Sequence, residues 1–200
     1  MIRYLLDAFS GPAAVFMYAL LGILAFAIAV FIERTLTLWR CRVDAPTVLG
    51  AAEKAAASGE KPPGGDTPLE RVLQAGLAQA DPELGWDAMQ SAAVEAEQRI
   101  RQRIPYLAAV ASISTMVGLF GTVYGLIQAF GAMGDVAAAQ RAAALSSGSS
   151  TAMASTAFGL FVAIPSLAAH SFLDSQARAL LAQIEVAAGR LHVFRRAARS

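Results

Sequence analysis

Three long stretches of the sequence contain no aspartate, glutamate, lysine or arginine, and each is long enough to cross a lipid bilayer as a helix. They cover residues 13–32, 104–134 and 142–173. About 20 helical residues span the hydrocarbon core of a membrane, so the second and third stretches are longer than a crossing requires. The pattern predicts an all-α integral membrane protein with three transmembrane helices, long cytoplasmic extensions and a small helical cytoplasmic insert.

The composition supports a membrane protein and argues against one class of partner. Apolar residues make up 56% of the chain and charged residues 16%, and the mean hydropathy is +0.50. This is more apolar than a typical soluble domain. The formal net charge is only +1, with no dense basic run, which indicates no nucleic-acid partner. The apolar stretches indicate membrane lipid as a partner.

Arginines are distributed unevenly between the two sides of the predicted spans. They cluster after the first span, before the second and after the third, whereas the opposite side holds only Arg3 and Arg141. Arginine and lysine are enriched next to transmembrane helices on the cytoplasmic side. We therefore predict that the N-terminus lies outside the cytoplasm and that the C-terminus lies within it.

This topology divides the chain into seven segments. In chain order they are an outer-side N-terminal segment (1–12), transmembrane helix 1 (13–38), a cytoplasmic helical insert (39–104), transmembrane helix 2 (105–134), an outer-side loop (135–148), transmembrane helix 3 (149–173) and a cytoplasmic helical extension (174–200).

The insert contains several signals for helix ends. Asp44 followed by Pro46 predicts a short helix that ends near Ser58. The run Thr67-Pro68-Leu69-Glu70 has the form of a capping box with a first-turn proline. We expect the last helix of the insert to continue into the second span, with a kink at Pro105.

Beyond the third span, apolar residues recur at alternating spacings of three and four. This heptad-like stripe predicts that the third helix extends past the membrane and packs against neighbouring helices. Its members are Ala177, Leu180, Ile184, Ala187, Leu191 and Phe194.

The sequence contains no pattern of residues typical of an enzyme or a metal site. His170 and His192 are the only histidines, and neither has metal-ligand spacing with another ligand residue. Cys41 is the only cysteine. The glycines of Gly118-Leu119-Phe120-Gly121 do not follow a predicted strand or precede a lysine, as a phosphate-binding loop would require. We therefore predict a protein that is not an enzyme and holds no cofactor or metal.

Two of the spans carry hydroxyl groups and glycines where a simple anchor would carry leucine. On the second span, Ser112, Thr115 and Thr122 follow helical spacing on one face. On the third, Thr151 and Ser155 share a face, with Thr156 beside them. Such faces favour either a polar path or close helix packing, and the two alternatives stay open at this point. The residues assigned to helix packing are Gly118, Gly121, Gly125, Gly159 and Pro165.

The membrane-spanning stretches contain no carboxylate that could carry a proton. Hydroxyl groups do not titrate near neutral pH, and His170 lies near the inner edge of the third span. If the hydroxyl faces line a proton path, another polypeptide must therefore supply the titrating acid.

Two motifs, GLFGTVYGLIQAF beginning at Gly118 and STAFGLFVAIPS beginning at Ser155, resemble the MotA/TolQ/ExbB proton-channel family, most closely its three-span ExbB and TolQ branch. The resemblance covers the second and third spans, and FIERTLTLWR after the first span agrees with it. Thr122 and Thr156 stand where the family has its paired pore threonines.

The resemblance implies a homopentamer in the bacterial inner membrane, with a periplasmic N-terminus, whose second and third helices line a pore. The pore would hold an ExbD- or TolR-like dimer with a transmembrane aspartate. Protons would be the coupling ion, with sodium left open. Force would reach a TonB- or TolA-like protein or a gliding complex, and so drive an outer-membrane process.

Two positions depart from the family pattern. ExbB and TolQ proteins commonly have a glutamate five residues before the second threonine, where this chain has Thr151. They also commonly have a proline three residues before the glycine-rich run, where this chain has Thr115. Two rival hypotheses remain beside the motor subunit: a non-conducting oligomeric membrane scaffold and, less favoured, a transporter with its own substrate site.

Overall fold

A computed structural model of the chain describes residues 14–58, 64–132 and 138–198, with the side chains at 132, 138–140, 144, 147 and 151 outside the description. These residues form six helices. The helices are α1 (Ala14–Arg40), α2 (Ala45–Ser58), α3 (Pro68–Leu77), α4 (Pro82–Arg101), α5 (Ile104–Ala132) and α6 (Ala138–Ala197).

The predicted fold class is confirmed. Every regular element among the described residues is a helix. Three helical stretches are long and apolar enough to cross a membrane: Ala14–Arg40, Pro82–Gly131 and Arg141–Ala197. Sixty residues of α6 would measure about 90 Å at 1.5 Å per residue, about three times the hydrocarbon thickness.

The chain separates into two compact units. The membrane unit contains the described residues up to Ile32 together with those from Arg103 to Ser171. The extramembrane unit contains those from Glu33 to Gln102 together with those from Phe172 onward. Helices α1 and α6 each contribute one part to either unit.

Local sequence signals account for the helices of the extramembrane unit. The capping box at the start of α3 is present: the Glu70 amide donates to Thr67 Oγ1 at 3.4 Å, and the Thr67 amide donates to Glu70 Oε2 at 3.0 Å. The predicted short helix is α2, which starts at Ala45 and ends at Ser58. The capping box acts through backbone groups that a first helical turn leaves unbonded, whereas the Asp44 carboxylate before α2 accepts from the Thr47 hydroxyl.

The helix predicted to continue into the second span is instead interrupted. α4 ends at Arg101 and α5 begins at Ile104, and Arg103 between them has a φ of 65°. Pro105 provides the physical reason, because it has no amide hydrogen to donate to Arg101 and its ring crowds that carbonyl. Pro165, by contrast, lies inside α6 without ending it.

The core of the extramembrane unit is built from large apolar side chains. Met89 of α4 is fully buried and lies so close to Gly76 of α3 that an added Cβ there would come within 2.6 Å of it. The predicted stripe on α6 is buried except for Phe194, which is 36% exposed. This agrees with the expected packing of the extension against its neighbours.

Arginine side chains bond the carbonyl groups at two helix ends in the extramembrane unit. Arg195 donates to the Gly76 carbonyl at 2.6 Å and contacts those of Gln79 and Ala80. Arg34, which is 5% exposed, donates to the Arg99 carbonyl at 3.4 Å. The last carbonyls of a helix lack intrahelical partners, so these guanidinium groups replace water there.

A buried carboxylate adds a further polar contact within this unit. Asp174 is 9% exposed and accepts from Arg101 at 3.1 Å and from Arg178 Nε at 2.8 Å. The two arginines compensate the charge that burial would otherwise make costly. The contact from Arg101 links the end of α4 to the extramembrane part of α6, whereas Arg178 lies on the same helix as Asp174.

Candidate functional site

Helices α5 and α6 of the membrane unit form an antiparallel seam of small residues. A Cβ added at Gly118 would lie 3.1 Å from the Gly159 Cα, and one added at Gly159 would lie 2.7 Å from the Ser114 carbonyl oxygen. The backbones therefore approach too closely for larger side chains. Along the seam, Gly118 faces Ser155, Gly125 faces Ala152 and Gly148 faces Ala129.

The hydroxyls of Thr122 and Thr156 meet at one edge of this seam. Their Oγ1 atoms are in hydrogen-bond contact with each other. Thr122 Oγ1 lies 3.3 Å from the Ala152 carbonyl of the opposite helix, and Thr156 Oγ1 lies 3.2 Å from the Gly118 carbonyl. Each threonine thus reaches a main-chain acceptor across the seam, in a pair of reciprocal contacts that we call the threonine clasp.

The clasp is half-buried, so one side of it remains accessible. Thr122 Oγ1 also lies 3.2 Å from the Gly118 carbonyl of its own helix. The Gly118 oxygen is therefore within reach of both threonine hydroxyls as well as the helical amide four residues later. A hydrogen-bonding group on the accessible side would meet two hydroxyl groups at one point.

The other hydroxyl residues predicted on the second span lie apart from the clasp. Ser112 and Thr115 are exposed, and each donates to the carbonyl four residues earlier on its own helix, at 3.3 and 3.0 Å. Such a bond within one helix gives the hydroxyl an acceptor, so it needs no partner from another helix. These two side chains occupy the surface of α5 that leads toward Thr122.

Two serines are enclosed within the seam. Ser155, predicted as a pore residue, has 0% exposure, and a Cβ at Gly121 would lie 2.8 Å from its Cβ. Ser114, which the sequence did not single out, is also 0% exposed. The hydroxyl oxygens of both have no hydrogen-bond partner within the part of the chain that the structure describes. Ser155 thus lies between the helices, one residue away from the accessible clasp.

Three further assigned residues have different surroundings. The side chain of Thr151 lies outside the described part of the chain. Pro165, assigned to helix packing, is exposed. Gly121 also approaches α1, because a Cβ there would lie 3.4 Å from that of Phe16.

Helix α1 packs against α5 through aromatic rings. The Phe16 ring stands edge-on to Phe120 and Tyr124, with centroids 5.3 and 5.4 Å apart. Met17, Leu20, Ala27 and Val30 of α1 are buried, and they recur at helical spacing on one face. Tyr124 is two residues from Thr122, so α1 and the clasp contact different faces of α5.

Sequence patterns predicted the two threonines but missed the backbone groups that complete the clasp. Gly118 and Ala152 each precede a clasp threonine by four residues. That spacing is the only sequence signal that these two carbonyls contact a threonine hydroxyl. It is a weak signal, because every helical threonine has a carbonyl four residues before it. Their role emerges only when the two helices are set side by side.

Comparisons with known proteins agree with the motifs. The model of the MotA/TolQ/ExbB proton channel family matches residues 65–186. The Tol-Pal system protein TolQ of Pseudomonas aeruginosa is 31% identical over 132 residues, which is 60% of this chain and 57% of that protein.

Two further relatives match shorter segments. TolQ of Haemophilus influenzae is 39% identical over 83 residues, 42% of this chain and 36% of its own length. The biopolymer transport protein ExbB of Neisseria gonorrhoeae is 34% identical over 99 residues, 48% of this chain and 44% of its own length. The chain thus spans about half the length of these relatives.

Proposed function

Because this chain belongs to the MotA/TolQ/ExbB proton channel family, we propose that it is a pore-forming stator subunit of a motor driven by the proton-motive force. The observation that carries the proposal is the threonine clasp. Two hydroxyl groups converge at the accessible edge of two membrane helices that contain no carboxylate between Arg103 and Asp135 or between Arg141 and Asp174.

In this function Thr122 and Thr156 bind the side chain of a transmembrane acid from a partner. A hydroxyl donates one hydrogen bond and accepts others, so the pair can serve both a protonated and an ionised carboxyl group. The site lies in a membrane-spanning region, where such bonds have little competition from water. Each proton that crosses supplies about 2.3 kcal/mol per 100 mV of membrane potential.

The proposed assembly follows the family. It is a homopentamer of the inner membrane around an ExbD/TolR-like dimer that carries the transmembrane aspartate, with the N-terminus periplasmic and the C-terminus cytoplasmic. Two relatives belong by name to a Tol-Pal system and one to biopolymer transport. We propose that force passes through a TonB/TolA-like or gliding-complex protein to an outer-membrane process.

The first test removes each clasp hydroxyl without changing the side-chain shape. Thr122→Val and Thr156→Val should each reduce the function restored to a deletion strain at least tenfold, because valine offers no hydrogen bond to the partner acid. Thr122→Ser and Thr156→Ser should retain it. Ser171→Ala is a matched control, because Ser171 is exposed and bonds only its own helix at Leu167.

The result that contradicts the proposal is full complementation by both valine variants at normal membrane levels. Blue-native electrophoresis of each variant measures whether assembly is intact. A variant that assembles but does not complement supports the proposal.

A scaffold without conduction is the second candidate, because the seam shows how well the small residues serve packing alone. Gly118, Gly125 and Gly159 all lie at close backbone contacts. Purification from native membranes separates the two functions. Co-elution of a small single-span protein with one transmembrane acid favours the motor, and a homo-oligomer without such a protein favours the scaffold.

A further inference from the structure

The threonine clasp contains only two hydroxyl protons but more acceptors than those protons can satisfy at once. The acceptors within reach are the Gly118 carbonyl, the Ala152 carbonyl and the two threonine oxygens themselves. If Thr156 donates to Gly118 and Thr122 donates to Ala152, both protons are directed into the seam, and neither remains for a hydrogen bond between the two Oγ1 atoms. In that state the clasp presents only oxygen lone pairs to a group on its accessible side.

The charge of the facing group then decides which arrangement is favoured. A neutral carboxylic acid has a proton to donate, so it can hydrogen-bond to the lone pairs of the threonine oxygens. The two contacts across the seam then stay in place. A carboxylate can only accept, so at least one threonine must turn its proton away from a main-chain carbonyl to bind it. Hydrogen bonds to an ionised acceptor are stronger than those to a neutral carbonyl, which makes that exchange favourable.

We propose that the Gly118 and Ala152 carbonyls make the α5–α6 seam responsive to the protonation state of the acid bound at the clasp. With the neutral acid the seam is held by both reciprocal contacts. With the carboxylate the contact between Thr156 and the Gly118 carbonyl is released. The inference rests on the proposed function, because it requires a transmembrane carboxylic acid at the site.

The titratable side chains of the membrane unit lie away from the clasp or pack elsewhere, so they do not take part in this exchange of hydrogen bonds. Along the helices, Tyr106 of α5 and His170 of α6 are about four turns from the nearer threonine at 5.4 Å per turn. Arg103 and Arg141 lie at least as far away. Tyr124 is nearer, but its ring packs against Phe16 of α1. Tyr18 is the remaining titratable side chain of the described part of α1 in this unit, and it is exposed.

Carbonyl carbon chemical shifts report the exchange directly. The full chain is labelled with carbonyl-¹³C glycine and ¹⁵N leucine, which marks the four Gly-Leu pairs at Gly76, Gly118, Gly125 and Gly159. Leu119→Ile identifies the Gly118 signal by removing it. The labelled protein is reconstituted in lipid vesicles with a synthetic single-span peptide that carries one central aspartate or, as the neutral match, asparagine.

At a pH where the aspartate is ionised, the Gly118 signal should move upfield relative to the asparagine sample, since the carbonyl loses a hydrogen bond. The Gly125 signal should stay in place. Lowering the pH until the aspartate is neutral should return the Gly118 signal to its asparagine position. The double variant Thr122→Val/Thr156→Val removes both hydroxyls within reach of the Gly118 carbonyl, so it should hold the signal at the upfield position with either peptide. Thr156→Ser, which keeps the hydroxyl, should keep the difference between the peptides.

Two failures are distinguishable. If both peptides co-purify with the chain but the Gly118 signal is identical with each, the seam does not respond to charge, and this inference is overturned while the proposed function stands. If neither peptide co-purifies although the chain is folded and oligomeric, the proposed acid-binding site is overturned, and the inference with it.

Discussion

The two units of this protein build helix contacts from opposite kinds of side chain, although they share helix α6. In the membrane unit, α6 meets α5 through glycine, alanine and serine. In the extramembrane unit, the same helix buries Leu180, Ile184 and Leu191. In lipid, burying a leucine against protein gains little over leaving it in the hydrocarbon, so contact depends on close approach and hydrogen bonds. In water, burial of apolar area drives packing.

The comparison also explains where polar groups are tolerated. In the membrane unit the clasp hydroxyls bond across the seam to main-chain carbonyls. In the extramembrane unit long arginine side chains bond the carbonyls at helix ends. Only a short side chain fits between α5 and α6 where their backbones touch, whereas a long arginine side chain can reach the end of another helix.

The largest effect should come from filling the seam. Gly159→Leu places a side chain where even a Cβ would lie 2.7 Å from the Ser114 carbonyl, so α5 and α6 must separate. Overpacking typically lowers stability by about 1–3 kcal/mol. We expect this variant to lose at least the upper value, because the atom it would clash with belongs to the backbone and cannot move aside as a side chain can. We expect loss of folded protein from the membrane fraction, measured by blue-native electrophoresis and limited proteolysis.

Gly22→Leu is the matched control in the same unit. Within the described part of the chain, nothing outside the adjoining backbone of α1 lies within 4 Å of a Cβ added at Gly22, so this variant should accumulate normally. Normal accumulation and assembly of Gly159→Leu would contradict the close seam.

The next effect should come from emptying the extramembrane core. Met89→Ala removes a fully buried side chain and should cost about 2–5 kcal/mol. The measurement is thermal unfolding of the detergent-solubilised protein, followed by circular dichroism. Leu84→Ala on the same helix is the control, since Leu84 is 58% exposed and surface changes usually stay within about 0.5 kcal/mol. Equal losses in the two variants would show that α4 does not bury this face.

Removing an arginine cap should have a smaller effect. Arg195→Ala leaves the carbonyls of Gly76, Gln79 and Ala80 without their guanidinium donor. We expect a loss of about 1–3 kcal/mol in the same unfolding assay. Arg196→Ala provides the comparison, because its contact with Glu83 is exposed and 4.0 Å long, and such pairs contribute about 0–1 kcal/mol. A larger loss at Arg196 would contradict the cap.

The smallest effect concerns Cys41, which lies beside the extramembrane core. Burial raises the pKa of the Cys41 thiol, and the nearby Arg34 guanidinium opposes this in part. A raised pKa leaves less thiolate at a given pH, and the thiolate is the reactive form. Alkylation by iodoacetamide should therefore be slower than for free cysteine at pH 8, with its rate rising at higher pH. A rate profile that matches free cysteine would show that the thiol is solvated.

Much of the fold could be predicted because the relevant signals are local. The uncharged stretches, the capping box at Thr67 and the apolar stripe on α6 each depend on residues within a few turns of one another. The interruption of the helix before Ile104 was harder to predict from the sequence, because Pro105 is compatible with a kink as well as with a break.

The candidate site was predicted only in part. Motif and spacing both indicated Thr122 and Thr156, and the structure places their hydroxyls in contact. The sequence grouped Ser155 with them, yet Ser155 is enclosed in the seam. Neighbouring residues on a helix differ by about 100° in direction, so which of Ser155 and Thr156 faces the seam depends on how α6 is rotated about its own axis.

The sequence by itself determined three helices long and apolar enough to cross a membrane, membership of a proton channel family and three long stretches without a carboxylate, at residues 13–32, 104–134 and 142–173. These properties follow from composition and from residue order along single helices. The tertiary structure decided which hydroxyls meet and which carbonyls they reach. Those contacts depend on the register and rotation of α6 against α5, and both are set by the glycines that allow the two backbones to touch.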